Sequence, residues 1–258
     1  MTDHSRLKGK RALITGGGRG IGAAIARRLA SEGASVAVNY RTDETTAQAL
    51  VDELTRDGCR AMACRADVSD HTETHQLVER VAAEFGGVDI VASNAGVEHF
   101  GAIETVTPAD FDRVFHTNVA AQLYVTQAAS AAMSNGGRIL LTSSISARIA
   151  VYQHTLYAAS KAAVSAMVLN LAPELAERNI AINAIAPGGT NTDMATEYAA
   201  KYTPPTLRDV PSAAVIGSMN ALGRLAEPTE IAAVAAFLLS ADATYITGAI
   251  LDASGGWI

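Results

Sequence analysis

The sequence predicts an open α/β fold, a doubly wound parallel sheet of about seven strands with helices on both faces. Short apolar runs alternate with helical stripes along the whole chain, and such alternation is typical of parallel sheets with right-handed crossovers. Of the 258 residues, 49% are hydrophobic but only 5% are aromatic, which suits strands of small aliphatic residues buried on both faces. Only 18% are charged, so we expect residues 1–258 to form a single domain with a large core.

The strands are predicted where short apolar or alternating runs stand between turn residues. The first run, ALIT, leads directly into glycines, and the second, SVAVNY, is rich in valine. Runs this short and this apolar are typical of central strands that are covered on both sides. The predicted strands are 12–15, 35–40, 60–68, 88–96, 137–144, 180–187 and 248–256.

Between these runs, apolar residues recur three or four positions apart, which is the spacing of one helix face. The first stripe is Ile21, Ile25 and Leu29, and further stripes lie within 47–54, 77–85 and 108–133. Pro108 stands at the first turn of its helix, where the missing N–H would have no partner anyway. A long helix is predicted over 156–178, and Pro228 begins the last one.

One stretch, residues 189–225, follows neither pattern and contains three prolines and several glycines. Loops of this length in compact domains usually serve function, often as lids. We therefore expect this stretch to be a substrate-covering segment, with a tolerated surface insertion as the alternative. Residues 1–8 are expected to form an N-terminal tail. The C-terminal Trp257-Ile258 is a candidate to close a substrate pocket, either of its own subunit or of a neighbour.

Glycines fill the turn between the first strand and the first helix. The segment runs from Gly16 through Arg19 and Gly20 to Ile21 and Gly22. Glycine lets the backbone turn tightly and approach a pyrophosphate, which then lies at the positive N-terminal end of the helix. The turn therefore predicts a Rossmann-type dinucleotide site, although its spacing, Gly-x-x-x-Gly-x-Gly, differs from the general Gly-x-Gly-x-x-Gly fingerprint.

Further motifs follow in a fixed order, and together with the glycines they resemble the short-chain dehydrogenase/reductase family from Lys10 to the end of the chain. Ser93 replaces the first Asn of the family's Asn-Asn-Ala-Gly turn, and Tyr157 with Lys161 matches its YxxxK signature. The residues that carry the resemblance are Asn94, Ala95, Gly96, Asn118, Ser144, Tyr157, Lys161, Pro187, Gly188, Thr190 and Thr192. Stretches such as APGGTNTDM are most similar to the tetrahydroxynaphthalene and trihydroxynaphthalene reductases.

The resemblance implies a ketone reductase whose catalytic residues are Asn118, Ser144, Tyr157 and Lys161. It implies that Asn118 holds a water linked to Lys161, and that Lys161 also contacts the nicotinamide ribose. The segment from Pro187 to Thr192 would clasp the nicotinamide. It further implies a homotetramer with subunit contacts through helices 108–133 and 156–178, for which ordinary packing on the sheet is the alternative.

Hydride transfer explains why these residue types stand together. A ketone that accepts a hydride develops negative charge on oxygen and must gain a proton, for which Tyr157 is the candidate acid. Lys161 lies on the same helix face because it is four residues away. At ~4 Å and an effective dielectric near 20, an ammonium favours a phenolate by roughly 4 kcal/mol, so we expect Lys161 to bring the pKa of Tyr157 towards neutrality. Ser144 is expected to hydrogen-bond the carbonyl oxygen, while Ser143 faces the other side of the strand.

The end of the second strand indicates which nicotinamide cofactor binds. An acidic residue there would hydrogen-bond the adenosine ribose and repel a 2′-phosphate. This strand instead ends with Tyr40 and Arg41, and the first acid beyond it is Asp43. Arg41 and Arg19 can pair with a phosphate through their guanidinium groups, so we predict NADPH, with NADH as an alternative. By resemblance, the adenine contacts are Asp67 and Val68.

Several classes of partner are excluded by composition. The net charge of −6 and the lack of a basic stripe argue against nucleic acid. The histidines show no metal-ligand spacing, so no metal is predicted. No apolar run is long enough for a membrane span, no signal peptide is evident, and Cys59 with Cys64 makes no disulfide framework. We therefore predict a cytoplasmic enzyme with a small-molecule carbonyl substrate.

Three alternative functions stay open at this point. A 3-oxoacyl-carrier-protein reductase needs basic residues near the cleft, where the covering segment mixes both signs of charge and Arg148 is a candidate to bind an anion. A secondary alcohol or sugar dehydrogenase would use the same residues in the opposite direction. A non-catalytic NADPH-binding regulator would be expected to lose Tyr157 or Lys161, and both are present.

Overall fold

Parallel strands form one seven-stranded sheet in the computed structural model, which describes residues 6–134, 136–207 and 209–257 but no side chain at positions 212, 213 and 216. The strands are β1 (Arg11–Thr15), β2 (Ser35–Tyr40), β3 (Ala61–Arg65), β4 (Ile90–Ser93), β5 (Gly137–Thr142), β6 (Ile180–Pro187) and β7 (Ile250–Ala253). Their order across the sheet is β3-β2-β1-β4-β5-β6-β7. The order reverses between β1 and β4, as in a doubly wound fold, so the predicted fold class is confirmed.

Several strands end earlier than their apolar patterns predict. The chain leaves the sheet after Ser93 and after Thr142, whereas strands were predicted to continue through residues 96 and 144. Hydrophobic patterning reports burial, and the loops that follow these two strands are buried after Thr142 and half-buried after Ser93. The residues beyond the strand ends therefore form loops at the carboxyl edge of the sheet, where they are available to a ligand.

The helices occupy the intervals between the strands. They are α1 (Gly20–Ser31), α2 (Glu44–Arg56), α3 (His71–Phe85), α4 (Pro108–Phe115), α5 (Ala121–Ala132), α6 (Thr155–Ala176), α7 (Asp193–Tyr198), α8 (Ser212–Ser218) and α9 (Pro228–Leu238). Pro108 is in the first turn of α4, as predicted, and Thr107 with Asp110 forms a capping box before it. The helix predicted over 108–133 is present, and a π-helical segment at His116–Ala120 joins α4 to α5 without a break.

Two apolar layers lie on opposite faces of the sheet. Alternate residues of β1 supply them, with Ile14 on one face and Leu13 on the other. The first layer includes residues of α1, α2 and α9, and the second includes residues of α3, α5 and α6. Because both faces are covered, the strands can be apolar throughout, which is the composition observed in the sequence.

The two regions predicted to be irregular are partly ordered. Helices α7 and α8 lie within 189–225, and Thr192 caps α7 by accepting a hydrogen bond from the N–H of Ala195 at 3.2 Å. Near the N-terminus, Arg6 pairs with Glu32 at 2.8 Å and Leu7 is buried, so this part of the expected tail packs on the domain. Residues 1–5 lie outside the described residues. In the described part of the chain, no helix combines the length and apolarity that crossing a bilayer requires.

Candidate active site

A cavity of about 590 Å³ lies at the carboxyl edge of the sheet. It is lined by loops after β1 and β4, between which the strand order reverses, and this is where open α/β sheets bind ligands. The predicted cofactor residues that line it are Gly16, Arg19, Gly20, Ile21, Tyr40, Arg41, Asp67, Val68, Asn94, Ala95, Gly96, Pro187, Gly188, Thr190 and Thr192. The catalytic candidates Ser144, Tyr157 and Lys161 line it as well. Gly22 and Asn118 stand behind this lining.

The glycine turn leaves space that larger residues would fill. Gly16 has φ +59° and Gly20 has φ +52°, both in the left-handed region that favours glycine. A Cβ atom on Gly16 would lie only 2.9 Å from the Cα of Ala95. A Cβ on Gly22 would collide with the carbonyl oxygen of Gly16, so the first turn of α1 packs directly beneath the loop. The open backbone and the helix N-terminus together fit a pyrophosphate.

Thr15 joins this turn to the Asn-Ala-Gly turn that follows β4. Its Oγ1 accepts hydrogen bonds from the N–H of Asn94 at 3.0 Å and of Ala95 at 3.2 Å. In return, Nδ2 of Asn94 donates to the carbonyl oxygen of Gly16 at 3.3 Å. The two loops are therefore held as one unit at the centre of the cavity, and Thr15 is a supporting residue that the sequence analysis missed.

The adenosine end of the cavity carries the two predicted arginines. Nη1 of Arg41 lies 3.6 Å from Oδ2 of Asp67, but the Arg41 side chain is 56% exposed, so the pair is open to exchange for a stronger anion. Asp43, the first acid after β2, instead caps α2 by accepting from the N–H of Thr46 at 3.0 Å and from its hydroxyl at 2.7 Å. These bonds lower the pKa of Asp43. The residues present therefore fit a 2′-phosphate.

Tyr157 and Lys161 lie one turn apart near the start of α6, and both face the cavity. Nζ of Lys161 is 5.4 Å from the centre of the Tyr157 ring and donates to the carbonyl oxygen of Thr142 at 2.9 Å. Ser144, just beyond β5, shares a hydrogen bond with the Tyr157 side chain. The predicted catalytic side chains therefore meet at one end of the cavity.

The Ser143 side chain makes different contacts from that of Ser144, as the alternation along the strand predicts. Its hydroxyl donates to the carbonyl oxygen of Lys161 at 2.9 Å and lies 2.8 Å from the hydroxyl of Ser165. These contacts anchor α6 to the end of β5. Both serines line the cavity, but Ser143 supports the position of Lys161, whereas the Ser144 side chain hydrogen-bonds Tyr157.

The predicted acidification of Tyr157 is wrong in this structure. Burial raises the pKa of the Tyr157 phenol above its ordinary value, the charge of Glu98 raises it further, and the hydrogen bond with Ser144 only partly opposes them. Burial also lowers the pKa of Lys161 to about 8, against the attraction of Glu98. The sequence-based estimate included the attraction of an ammonium but omitted the cost of burying the phenolate, which is the larger effect here.

Asn118 lies in the π-helical segment between α4 and α5 and is fully buried. Its Oδ1 accepts from the N–H of Val97 at 2.8 Å, and its Nδ2 donates to the carbonyl oxygen of Val97 at 2.9 Å and to the hydroxyl of Ser160 at 3.0 Å. A π-turn inserts an extra residue into a helix and is frequent at functional sites. Asn118 thus ties the loop after β4 to α6, while its expected water contact stays a prediction.

The sequence analysis missed a polar cluster at the substrate end of the cavity, made of Glu98, His154 and Tyr202. Nε2 of His154 lies 2.5 Å from Oε1 of Glu98, and the hydroxyl of Tyr202 donates to Oε2 at 2.7 Å. The His154 ring stacks on Tyr157 with 4.6 Å between ring centres. The three residues come from distant parts of the chain and match no motif, so no sequence signal joined them.

The chain segments after β6 and β7 close the other side of the site. A Cβ on Gly188 would lie 2.8 Å from the Cα of Ser254, so the two segments touch through backbone. Trp257 pairs with Asn220 in an isolated β-bridge and lines the cavity of its own subunit. Ile258 lies outside the described residues.

Comparison with known proteins finds relatives that match this chain over nearly its whole length. The family model described as enoyl-(acyl carrier protein) reductase matches residues 16–258. The hydroxynaphthalene reductase-like protein Arp2 of Metarhizium majus (strain ARSEF 297) is 43% identical over 254 residues, which cover 97% of this chain and 95% of the relative.

Two solved structures have the same fold and are each more than a third identical to the chain. A short-chain dehydrogenase from Burkholderia cenocepacia J2315 in complex with NADP has a TM-score of 0.88 and 39% identity, covering 97% of this chain and 98% of that one. The angucycline C-6 ketoreductase LanV with bound NADP has a TM-score of 0.88 and 38% identity, covering 98% and 96%. The chain therefore belongs to the short-chain dehydrogenase/reductase family.

Proposed function

We propose that the protein is an NADPH-dependent reductase that converts a ketone to a secondary alcohol. The observation that carries the proposal is that Ser144, Tyr157 and Lys161 meet at one end of a cavity whose other end holds the glycine turn and two arginines. A relative with 43% identity is named for hydroxynaphthalene reduction, and a 38% identical ketoreductase binds NADP. When bound, NADPH supplies the hydride.

Tyr157 is the proton donor in this proposal. Because its pKa is raised by burial and by Glu98, the phenol carries its proton at neutral pH, which is the form that reduction requires. A phenol is still a stronger acid than an alcohol, so transfer to an oxygen that is becoming an alkoxide remains favourable. A positioned general acid typically contributes about 10²–10⁴-fold. The Ser144 hydroxyl is placed to hold the same oxygen by a hydrogen bond.

Lys161 orients the reacting groups rather than donating the proton itself. Its ammonium is fixed by the carbonyl oxygen of Thr142 at 2.9 Å, which leaves other N–H donors available for a ribose hydroxyl. Since its pKa is lowered to about 8, the side chain is mostly charged at pH 7 and loses its charge as the pH rises through about 8. Removing Lys161 should therefore impair both cofactor placement and turnover.

The substrate end favours a flat, neutral, cyclic ketone of the hydroxynaphthalenone type. Tyr157, Tyr202 and Trp257 give it aromatic walls, and Glu98 gives it a buried carboxyl group. The segment 189–225 contributes Tyr202 to this lining, which supports its proposed role in covering the substrate. An aromatic, acidic end suits a hydroxylated ring better than an anion.

The carrier-protein alternative gains no support from Arg148 or from the arginines of the covering segment, Arg208 and Arg224. Arg148 pairs with Asp252, and Arg224 pairs with Glu230 at 2.7 Å. Arg208 lies outside the described residues. An acidic carrier protein needs basic side chains that are free to meet it, and those two arginines already have acidic partners.

The test is a substrate panel followed by the loss of NADPH absorbance. It includes hydroxynaphthalenone-type ketones, small cyclic ketones and acyl thioesters, each with NADPH and with NADH. We expect the fastest reduction with the first group and NADPH. Tyr157→Phe should lose about 10²–10⁴-fold in kcat while still binding NADPH, and Tyr152→Phe, an exposed tyrosine of the preceding loop, should not. Activity with acyl thioesters alone would reject this substrate class, and NADPH binding without any ketone reduction would favour a regulator.

We also propose that the enzyme is a cytoplasmic homotetramer. Large apolar side chains remain exposed on the helices expected at the subunit contacts, with Phe111 48%, Leu123 42% and Leu169 57% exposed. Burying such surface is the usual reason for self-association. Cys59 and Cys64 are both free thiols, as expected in a reducing compartment. Sedimentation velocity should give a tetramer, and a monomer at micromolar concentration would contradict the assembly.

A further inference from the structure

Glu98 is a buried acid whose carboxylate meets no lysine or arginine side chain among the described residues. Its side chain is 2% exposed. The guanidinium of Arg113 reaches only the backbone carbonyl oxygen of Glu98, at 3.4 Å. A buried carboxylate is costly unless hydrogen bonds replace the lost water. Such a group calls for a functional explanation.

The hydrogen bonds of Glu98 come from three separate parts of the chain. Oε1 accepts from the N–H of His99 at 3.0 Å and lies 2.5 Å from Nε2 of His154. Oε2 accepts from the hydroxyl of Tyr202, in the substrate-covering segment, at 2.7 Å. The carboxylate therefore connects the substrate-covering segment to His154, the residue that immediately precedes α6.

The next contact connects this bridge to the catalytic tyrosine. The His154 ring lies between Phe100 and Tyr157, with ring centres at 4.3 Å and 4.6 Å and interplanar angles of 16° on both sides. Tyr202 meets the same His154 ring edge-on at 5.4 Å. Movement of the Glu98 carboxylate would therefore be felt by the ring packed directly on Tyr157.

The hydrogen bonding also indicates that the cluster carries a net negative charge. Nδ1 of His154 is buried and has no partner among the described residues, so a proton there would be an unsatisfied donor, which is costly. His154 is then the neutral tautomer with its proton on Nε2, donated to Glu98. The charge of Glu98 therefore remains in the cluster, where it raises the pKa of Tyr157 and favours the charged form of Lys161.

We infer that Glu98 is a positioning residue that fastens the substrate-covering segment over the active site through Tyr202, and whose charge keeps the proton on Tyr157. The inference rests on the proposed function, since it names what sets the pH range of that reaction. The effect of the charge agrees with the raised pKa of Tyr157. The other titratable or charged groups around the cluster are His99, Arg113, Tyr157, Lys161 and Tyr198.

The decisive variant is Glu98→Gln, which keeps the size of the side chain and removes its charge. Reduction needs the phenol and oxidation of the alcohol needs the phenolate, so the alkaline limit of reduction and the acid limit of oxidation should both move to lower pH. We expect a shift of about one pH unit, the size that a nearby charge commonly produces. Glu104→Gln, an exposed acid in the same loop, should leave both limits in place. A uniform loss of kcat with no shift would make Glu98 merely structural and overturn the inference.

A second measurement tests the fastening without any turnover. Hydrogen exchange of residues 193–203 should speed up several-fold in Tyr202→Phe, which loses the bond at 2.7 Å, but not in Glu104→Gln. Glu98→Gln should change the exchange less, because its amide can still hydrogen-bond the Tyr202 hydroxyl. Tyr202→Phe keeps the charge, so it should raise KM without moving the pH limits. Unchanged exchange in Tyr202→Phe would refute the fastening. This variant decides the fastening even if Glu98→Gln fails to fold.

The two measurements separate this inference from the proposed function. Wild-type protein that reduces no ketone would reject the function, whereas the exchange rates would still report whether Tyr202 is fastened. Active protein with unaltered pH limits and exchange in the variants would retain the function and reject the role of Glu98.

Discussion

Replacing Lys161 by Met should make the protein more stable and much less active. Lys161 is 3% exposed, and burial lowers its pKa from 10.5 to about 8 because the ammonium loses its water. At about 1.4 kcal/mol per unit, this displacement corresponds to roughly 3 kcal/mol of unfavourable free energy at pH 7. Methionine has a similar length and carries no charge, so it fills the same space without that cost.

The substitution also removes one hydrogen bond, which reduces the gain. The carbonyl oxygen of Thr142 loses Nζ of Lys161 but keeps a hydrogen bond from Nε2 of Gln122 at 3.2 Å. A lost hydrogen bond costs about 1 kcal/mol, so a net stabilisation of about 2 kcal/mol is expected. For a domain of this size that corresponds to a rise in Tm of about 5 °C.

The gain should depend on pH in a defined direction. Below pH 8 both the folded and the unfolded wild-type chains hold the proton, so the full cost of the buried ammonium is present. Between about 8 and 10.5 the folded protein releases the proton and the unfolded chain keeps it, so wild-type stability rises with pH. Above 10.5 the cost is gone. The advantage of the Met variant should therefore shrink as pH rises through this interval.

Urea unfolding of the cofactor-free proteins at about pH 7 and about pH 9.5 measures this difference. Lys8→Met, which changes an exposed lysine, is the control and should give no gain at either pH. The rate of NADPH oxidation should fall at least about a hundredfold in Lys161→Met and remain unchanged in the control. A Met variant that is less stable than wild type at pH 7, or a difference that is independent of pH, would refute the reasoning.

Two further substitutions test the cofactor end and the π-helical segment. Arg41→Ala should raise KM for NADPH about 10- to 100-fold and leave KM for NADH nearly unchanged, because only NADPH carries the 2′-phosphate that a guanidinium binds. Steady-state kinetics with both cofactors measures the two KM values, and an equal change in both would contradict the prediction. Asn118→Ala should lower the free energy of unfolding by about 2 kcal/mol, because the N–H and carbonyl of Val97 lose their partners. Urea unfolding measures this free energy, and an unchanged value would show that Asn118 does not stabilise the fold.

Short-range rules were sufficient to predict the fold, and the motifs shared with short-chain dehydrogenases/reductases identified which residues form the centre of the site. Parallel strands place their carboxyl ends at one edge, so residues just after β1, β4 and β5 had to meet there. Helical periodicity placed Tyr157 and Lys161 on one face, and strand alternation separated Ser143 from Ser144. Each of these inferences depends on residues within a few positions of one another, which a sequence displays directly.

The parts that were missed depend on residues far apart in the chain. Glu98, His154 and Tyr202 meet only because the loop after β4, the start of α6 and the segment before α8 converge. The sign of the Tyr157 shift likewise depends on burial, and periodicity does not report how deeply a side chain is enclosed. Long-range convergence and local solvation both require the folded structure.

Burial ties the chemistry of this site to its stability. Glu98 and Lys161 are both buried close to Tyr157, and a charge on either is expensive to bury without water. The pKa of Tyr157 is raised first by burial and then by the charge of Glu98, so the affinity of the phenol for its proton reflects both desolvation and charge. Removing the negative charge of Glu98 should shift the pH limits downward, and a shift of that kind would identify charge, rather than packing, as the property that Glu98 supplies.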